Sequence, residues 1–154
     1  MFFEHKYLYR SLKEEIPDDY YTYSIGTANL VSEGKDFGII TYGLGVHWAM
    51  EAIKEMEVTA SVLDLRSLLP WDKEAVGQLV LSTNKVLILH EDTLTGGIGS
   101  EIAAWISENC FEYLDAPVLR CASLDTPVPF AKELEENFLP KSRLKGKIEQ
   151  LLRY

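Results

Sequence analysis

A three-layer α/β/α fold with a mainly parallel sheet is what this sequence predicts, and three observations carry it. Short apolar runs bounded by turn residues recur as strands, in "FGIITYG", "TASVLDL", "KVLILHED" and "PVLRCAS". Stretches with helical apolar spacing lie between them. The connections are short, so the strand–helix–strand units cross over right-handed and leave neighbouring strands parallel.

Each element has its own justification. Residues 1–36 read as an interdomain linker: they hold five of the eight tyrosines, Pro17 and the acidic cluster Glu14, Glu15, Asp18 and Asp19, without sustained periodicity. Within them "TANLVSEG" adds an edge strand, so the fold spans about residues 27–154, with its core domain at 37–154. The abrupt aromatic opening "FFEHKYLYR" suggests that a longer chain precedes it, and Met1 need not be a natural start. "FGIITYG" is the first core strand. "VHWAMEAIKEM" then turns Val46, Ala49, Met50 and Ile53 inward and Glu51, Lys54 and Glu55 outward. "TASVLDL" follows and Pro70 stops it. Asp72 caps a helix that carries Ala75, Val76, Leu79 and Val80 inward. "KVLILHED" is almost wholly apolar, as a strand covered on both faces should be. After the glycine turn a helix aligns Ile98, Ile102, Ile106, Cys110 and Tyr113. "PVLRCAS" is the last strand, and Leu144, Ile148, Leu151 and Leu152 line a C-terminal helix. There is no internal repeat.

Bulk properties narrow the function. A chain of 154 residues with 47% apolar residues can bury a real core. A formal charge of −9 without a basic stripe argues against nucleic-acid binding. The start carries Glu4 and lacks a continuous apolar region, so it is not a signal peptide, and no stretch reaches the roughly twenty apolar residues of a membrane span. Cys110 and Cys121 read as buried thiols in a reducing compartment, and the expected location is cytoplasmic.

Three stretches invite a chemical reading. "YGLGVHWA" supplies Gly43 and Gly45 of a dinucleotide fingerprint, with Asp64 where a ribose-binding acid belongs, but Trp48 stands at the third glycine position. Tight turning into a helix explains both glycines. "TGGIGSE" frees backbone N–H groups before a helix, an anion-binding geometry, yet it lacks a P-loop lysine, and Glu91, Asp92 and Glu101 repel phosphate. The plainer alternative is a glycine-built turn at the carboxyl edge of the sheet. "HED" has no helical His spacing or second soft ligand for a metal, so His90 reads as a structural residue at a strand end. His47 and His5 read as packing or surface residues. No catalytic, cofactor-binding or metal-binding residue is assigned.

Taken together, "FFEHKYLYRS", "DLRSLLPWDKEAV", "HEDTLTGGIGSEIAAWISENCFEYLDAPVLR" and "DTPVPFAKELEENFLP" resemble, in order and spacing, the C-terminal part of the beta subunit of thiamine-diphosphate-dependent 2-oxo acid dehydrogenases. This is the transketolase C-terminal domain with its linker, and the likeness covers nearly the whole chain. "LPWD", "HE" before the T-G-G turn and "ENCFEYLDAP" resemble the branched-chain enzyme. His5 departs from the family's "FFEPK" phrase. The resemblance implies thiamine diphosphate and magnesium in the intact enzyme, held by an alpha part and a preceding pyrimidine-binding domain, and none bound by these residues. It implies as partners the alpha part, fused or separate, a second beta subunit, and the subunit-binding domain of the dihydrolipoyl acyltransferase core. That domain meets an aspartate of the "LDAP" phrase and the terminal carboxylate, here Asp115 and Tyr154; the alternative for Asp115 is a turn cap before Pro117. Trp48, Trp71 and Trp105 are candidates for apolar contact surface. Two other readings stay open: the same domain of a pyruvate dehydrogenase or other transketolase-like enzyme, and a free-standing α/β module binding a small ligand at its glycine turns. Which 2-oxo acid is used lies with residues outside this chain.

Overall fold

The computed structural model describes residues 1–154. Five strands form one sheet in the order β1-β3-β2-β4-β5, where β1 is Asn29–Ser32, β2 Phe37–Thr41, β3 Ala60–Asp64, β4 Val86–Thr93 and β5 Leu119–Ser123. Strands β2 to β5 are mutually parallel and only β1 runs antiparallel, against β3. At the sheet's centre Ile39 is in register with Val62 on one side and Leu87 on the other.

Helices α2 (Leu44–Met56), α3 (Lys73–Thr83) and α4 (Ile98–Asn109) connect successive strands, a single turn α1 (Leu8–Ser11) precedes the sheet, and a short α5 (Lys132–Phe138) and α6 (Lys141–Leu152) follow β5. Alternation along each strand divides the core in two. Ile39, Val62, Leu87 and Leu89 pack under Trp48, Ala49 and Ala52 of α2 and Leu144, Ile148 and Leu151 of α6. Ile40, Leu63 and Ile88 pack under Val76, Leu79 and Val80 of α3 and Ile102 and Ile106 of α4. Fully buried side chains of this size each contribute about 1.5–3 kcal/mol, so helix placement follows from the strand pattern.

The predicted three-layer, mainly parallel architecture is the observed one. Asp72 caps α3 as expected: its Oδ1 accepts from Ala75 N at 3.0 Å, and Oδ2 also accepts from Ala28 N at 2.9 Å, tying down the approach to β1. Asn84 closes α3 in the left-handed region (φ 57°), its N–H donating to Val80 O.

Several expectations are corrected. The buried face of α2 runs through Val46, Trp48, Ala49 and Ala52, while Met50 faces solvent. The helix begins at Leu44, and with that phase Trp48 lies over the sheet, so it offers no docking surface. α4 ends at Asn109, and Tyr113 falls in a 3-10 turn, Phe111–Tyr113, with its ring exposed. β3 stops at Asp64, well before Pro70. There the Asp64 carboxylate accepts from Arg66 N, and Arg66 takes a left-handed conformation (φ 55°). Cys110 and Cys121 are free and buried, and no helix is long and apolar enough to cross a membrane.

Candidate docking groove and glycine turn

Asp115 and Tyr154, far apart in sequence, line one open groove of about 720 Å³. Its wall is the outer face of α4, where Ser100, Ala103 and Ser107 leave room because their side chains are small; its rim is the segment from Phe111 to Val118. The chain is held in place there by its backbone. Asp115 N–H donates to Asn84 O at 2.8 Å, and Asn84 Nδ2 donates to Tyr113 O at 2.7 Å. The exposed Asp115 carboxylate makes no hydrogen bond within the chain, so it does not cap the turn.

The groove's one cation faces inward. Arg120 Nη1 donates to Leu94 O at 2.9 Å and to Ser100 Oγ at 2.6 Å, bracing the glycine turn. That leaves Asp115 as an unneutralised charge beside exposed Phe111, an acidic and aromatic surface suited to a basic partner with an apolar patch. Trp71 and Trp105 stack edge to face at 5.2 Å and are half-buried, so they spend much of their area on each other. The exposed aromatics beside Asp115 are instead Phe111 and Tyr113, which sequence periodicity missed because it ran α4 one turn too far.

The turn "HEDTLTGGIGSEI" is built around His90. This side chain is fully buried, with neither ring nitrogen hydrogen-bonded. Its ring fills the space where side chains at positions 97 and 99 would stand. A methyl on Gly97 would lie 2.5 Å from Thr93 O and 2.7 Å from His90 Cε1, and one on Gly99 2.6 Å from His90 Cδ2. Burial holds the imidazole pKa below 6.5, partly offset by the Asp92 charge. Gly96, at φ 77°, supplies the turn itself. Thr95 donates from N and Oγ1 to both Asp125 carboxylate oxygens, at 2.8 and 2.7 Å.

This geometry does not fit thiamine diphosphate or its magnesium. The spaces beside Gly97 and Gly99 that a phosphate cradle needs are filled by the imidazole and a carbonyl, and no three His, Cys, Asp or Glu side chains converge as a metal site. The other glycine motif fails likewise. The Thr41 hydroxyl occupies the position of a Gly45 side chain, and Asp64 turns back on Arg66. Burial and the charges of Asp92 and Glu91 push the Tyr42 hydroxyl up to about 12, so it stays protonated. His47 is exposed, and His5 pairs with Glu91 at 2.9 Å.

The profile of the transketolase C-terminal domain matches residues 26–143. The chain is 47% identical over 143 residues to the 2-oxoisovalerate dehydrogenase subunit beta of Bacillus subtilis (strain 168), covering 90% of this chain and 44% of that one. It is 41% identical over 139 residues to the pyruvate dehydrogenase E1 component subunit beta of Gracilaria tenuistipitata var. liui, covering 88% and 43%. Among solved structures, a split gene transketolase described as an inactive beta4 tetramer aligns with a TM-score of 0.75 at 27% identity, covering 92% of this chain and 46% of that one. The chain thus spans less than half the length of these relatives, and it belongs to the transketolase C-terminal domain family.

Proposed function

We propose that this domain is the C-terminal assembly module of the beta subunit of a thiamine-diphosphate-dependent 2-oxo acid dehydrogenase acting on branched-chain acids of the 2-oxoisovalerate type. Its task is to pair with a second beta subunit, meet the alpha part, and dock the subunit-binding domain of the dihydrolipoyl acyltransferase core. The observation that carries this reading is the groove in which Asp115, unpaired, lies with Tyr154 and Phe111. An ionised carboxylate without an internal partner accepts a charge-assisted hydrogen bond from a basic residue at little cost. In the intact enzyme thiamine diphosphate supplies the decarboxylation chemistry. This domain's residues contribute none of its ligands; they hold the enzyme against the core so that the lipoyl arm reaches the acyl group. The 47% identity to a 2-oxoisovalerate dehydrogenase subunit beta favours branched-chain substrates.

The test is reconstitution of the full-length beta subunit with its alpha part and acyltransferase core. Decarboxylation of 2-oxoisovalerate with an artificial electron acceptor should proceed alike in the parent and in Asp115→Ala, while core-dependent flux falls in the variant. Turnover of pyruvate in preference to 2-oxoisovalerate would reassign the substrate, and unchanged core-dependent flux would remove the docking role.

A further inference from the structure

In parallel α/β sheets ligands enter at the carboxyl edge, where the strand order reverses. Here that point lies between β2 and β4, because the chain runs from β2 outward to β3 and then returns past it to β4. The residues flanking it are Tyr42 and Gly43 after β2, and Glu91 and Asp92 at the end of β4; the charges of both acids act on the Tyr42 hydroxyl.

The N-terminal segment reaches this edge at two places. His5 Nε2 bonds Glu91 Oε2 at 2.9 Å, with both side chains about two-thirds covered (34% and 38% exposed). Eighteen residues later the Arg66 guanidinium lies 4.3 Å over the Tyr23 ring, just beyond β3. Between the anchors nearly every residue is exposed, Leu8 excepted, and the single turn α1 buries nothing. The segment is therefore held by its ends, at the carboxyl ends of β4 and β3, the two strands that flank β2.

We propose that the N-terminal segment is a strap across the sheet's switch point, latched by His5 on Glu91 and hinged at Tyr23 under Arg66. In the latched state an imidazole of the chain itself stands at the mouth between β2 and β4, where an external ligand would otherwise enter. The far end cannot leave so readily, because Ala28 N–H is held by Asp72 and β1 is paired into the sheet. Release thus happens at the latch. The Glu91 carbonyl accepts from Ser123 Oγ at 2.6 Å whatever its side chain is, so replacing the side chain loosens the strap without freeing β4. This inference is independent of the docking role.

The experiment is a double-mutant cycle on the full chain, with His5→Ala, Glu91→Ala and the pair, read by amide hydrogen exchange of residues 6–22 and by limited trypsin cleavage at Lys6, Arg10 and Lys13. Each single variant should exchange and be cleaved about two- to fivefold faster, the scale of one partly covered side-chain hydrogen bond. The double variant should be no faster than either single one, and exchange in β4 should not change. Equal rates in parent and variants, or effects that add, would overturn the latch. Faster exchange in β4 would show that Glu91 holds the strand instead of the strap.

Discussion

Replacing Gly99 by alanine should destabilise the domain, although glycine in a helix is normally the weaker residue. The added methyl lands 2.6 Å from His90 Cδ2, closer still to Nε2, and 3.3 Å from Ile88 Cγ2. None of these atoms is the free end of a flexible chain: His90 is fully buried and Ile88 is 2% exposed. Two contacts under 3 Å with a buried ring put the cost in the upper half of the range for overpacking, about 2–3 kcal/mol, and the gain in helix propensity returns at most about 1 kcal/mol. The net loss is about 1–2 kcal/mol, a fall in Tm of about 2–8 °C for a domain this size. Gly146 is the internal control, because nothing lies within 4 Å of its added methyl. Gly146→Ala in α6 should raise Tm by about 2–4 °C from propensity alone. Both changes are read by thermal unfolding followed by circular dichroism. In a His90→Ala background the Gly99→Ala penalty should shrink, since the clashing ring is gone. A Gly99→Ala protein as stable as its parent, or a penalty unchanged without the imidazole, would refute the account of the turn.

Other outcomes follow from the same geometry. Because burial sets the folded pKa of His90 below 6.5, the unfolded chain binds the proton first as pH falls. Its contribution to stability is full above pH 6.5 and is lost below it, down to the folded value; melts at pH 7.5 and 5.5 should show a larger drop for the parent than for His90→Gln. Asp72→Ala removes both the α3 cap and the bond to Ala28 N–H and should cost about 1–2 kcal/mol by urea denaturation, with faster amide exchange at Ala28. Titration calorimetry of this chain with thiamine diphosphate and magnesium should give no specific heat; stoichiometric micromolar binding would make the T-G-G turn a genuine site.

Continuous apolar runs and helical spacing were enough to place the sheet and four of its helices, because burial on both faces of a parallel sheet leaves its strands apolar throughout, as at Ile39 and Ile40, Val62 and Leu63, and Leu87 and Ile88. The sequence alone misphases α2 because it treats Trp48 as contact surface and Met50 as core, whereas Trp48 lies inward and Met50 does not. α5 left no mark because only Phe138 on it is buried. Asp115 and Tyr154 entered through resemblance to a family, and nothing in local spacing brings them together. Their meeting depends on where α6 lies against the sheet, which is a tertiary fact. The glycines of the T-G-G turn were legible as a turn, but their reason, the buried ring of His90 beneath them, was visible only in three dimensions.

The proposed docking surface is tested most directly by calorimetric titration of the full-length beta subunit with the acyltransferase's subunit-binding domain at low and high salt, parent against Asp115→Ala. The parent should bind, more weakly as salt rises. The variant should lose about 1–3 kcal/mol, roughly fivefold to 150-fold in Kd, together with part of the salt dependence. Equal affinity and equal salt dependence in the two proteins would contradict the assignment of this groove as the contact with the core.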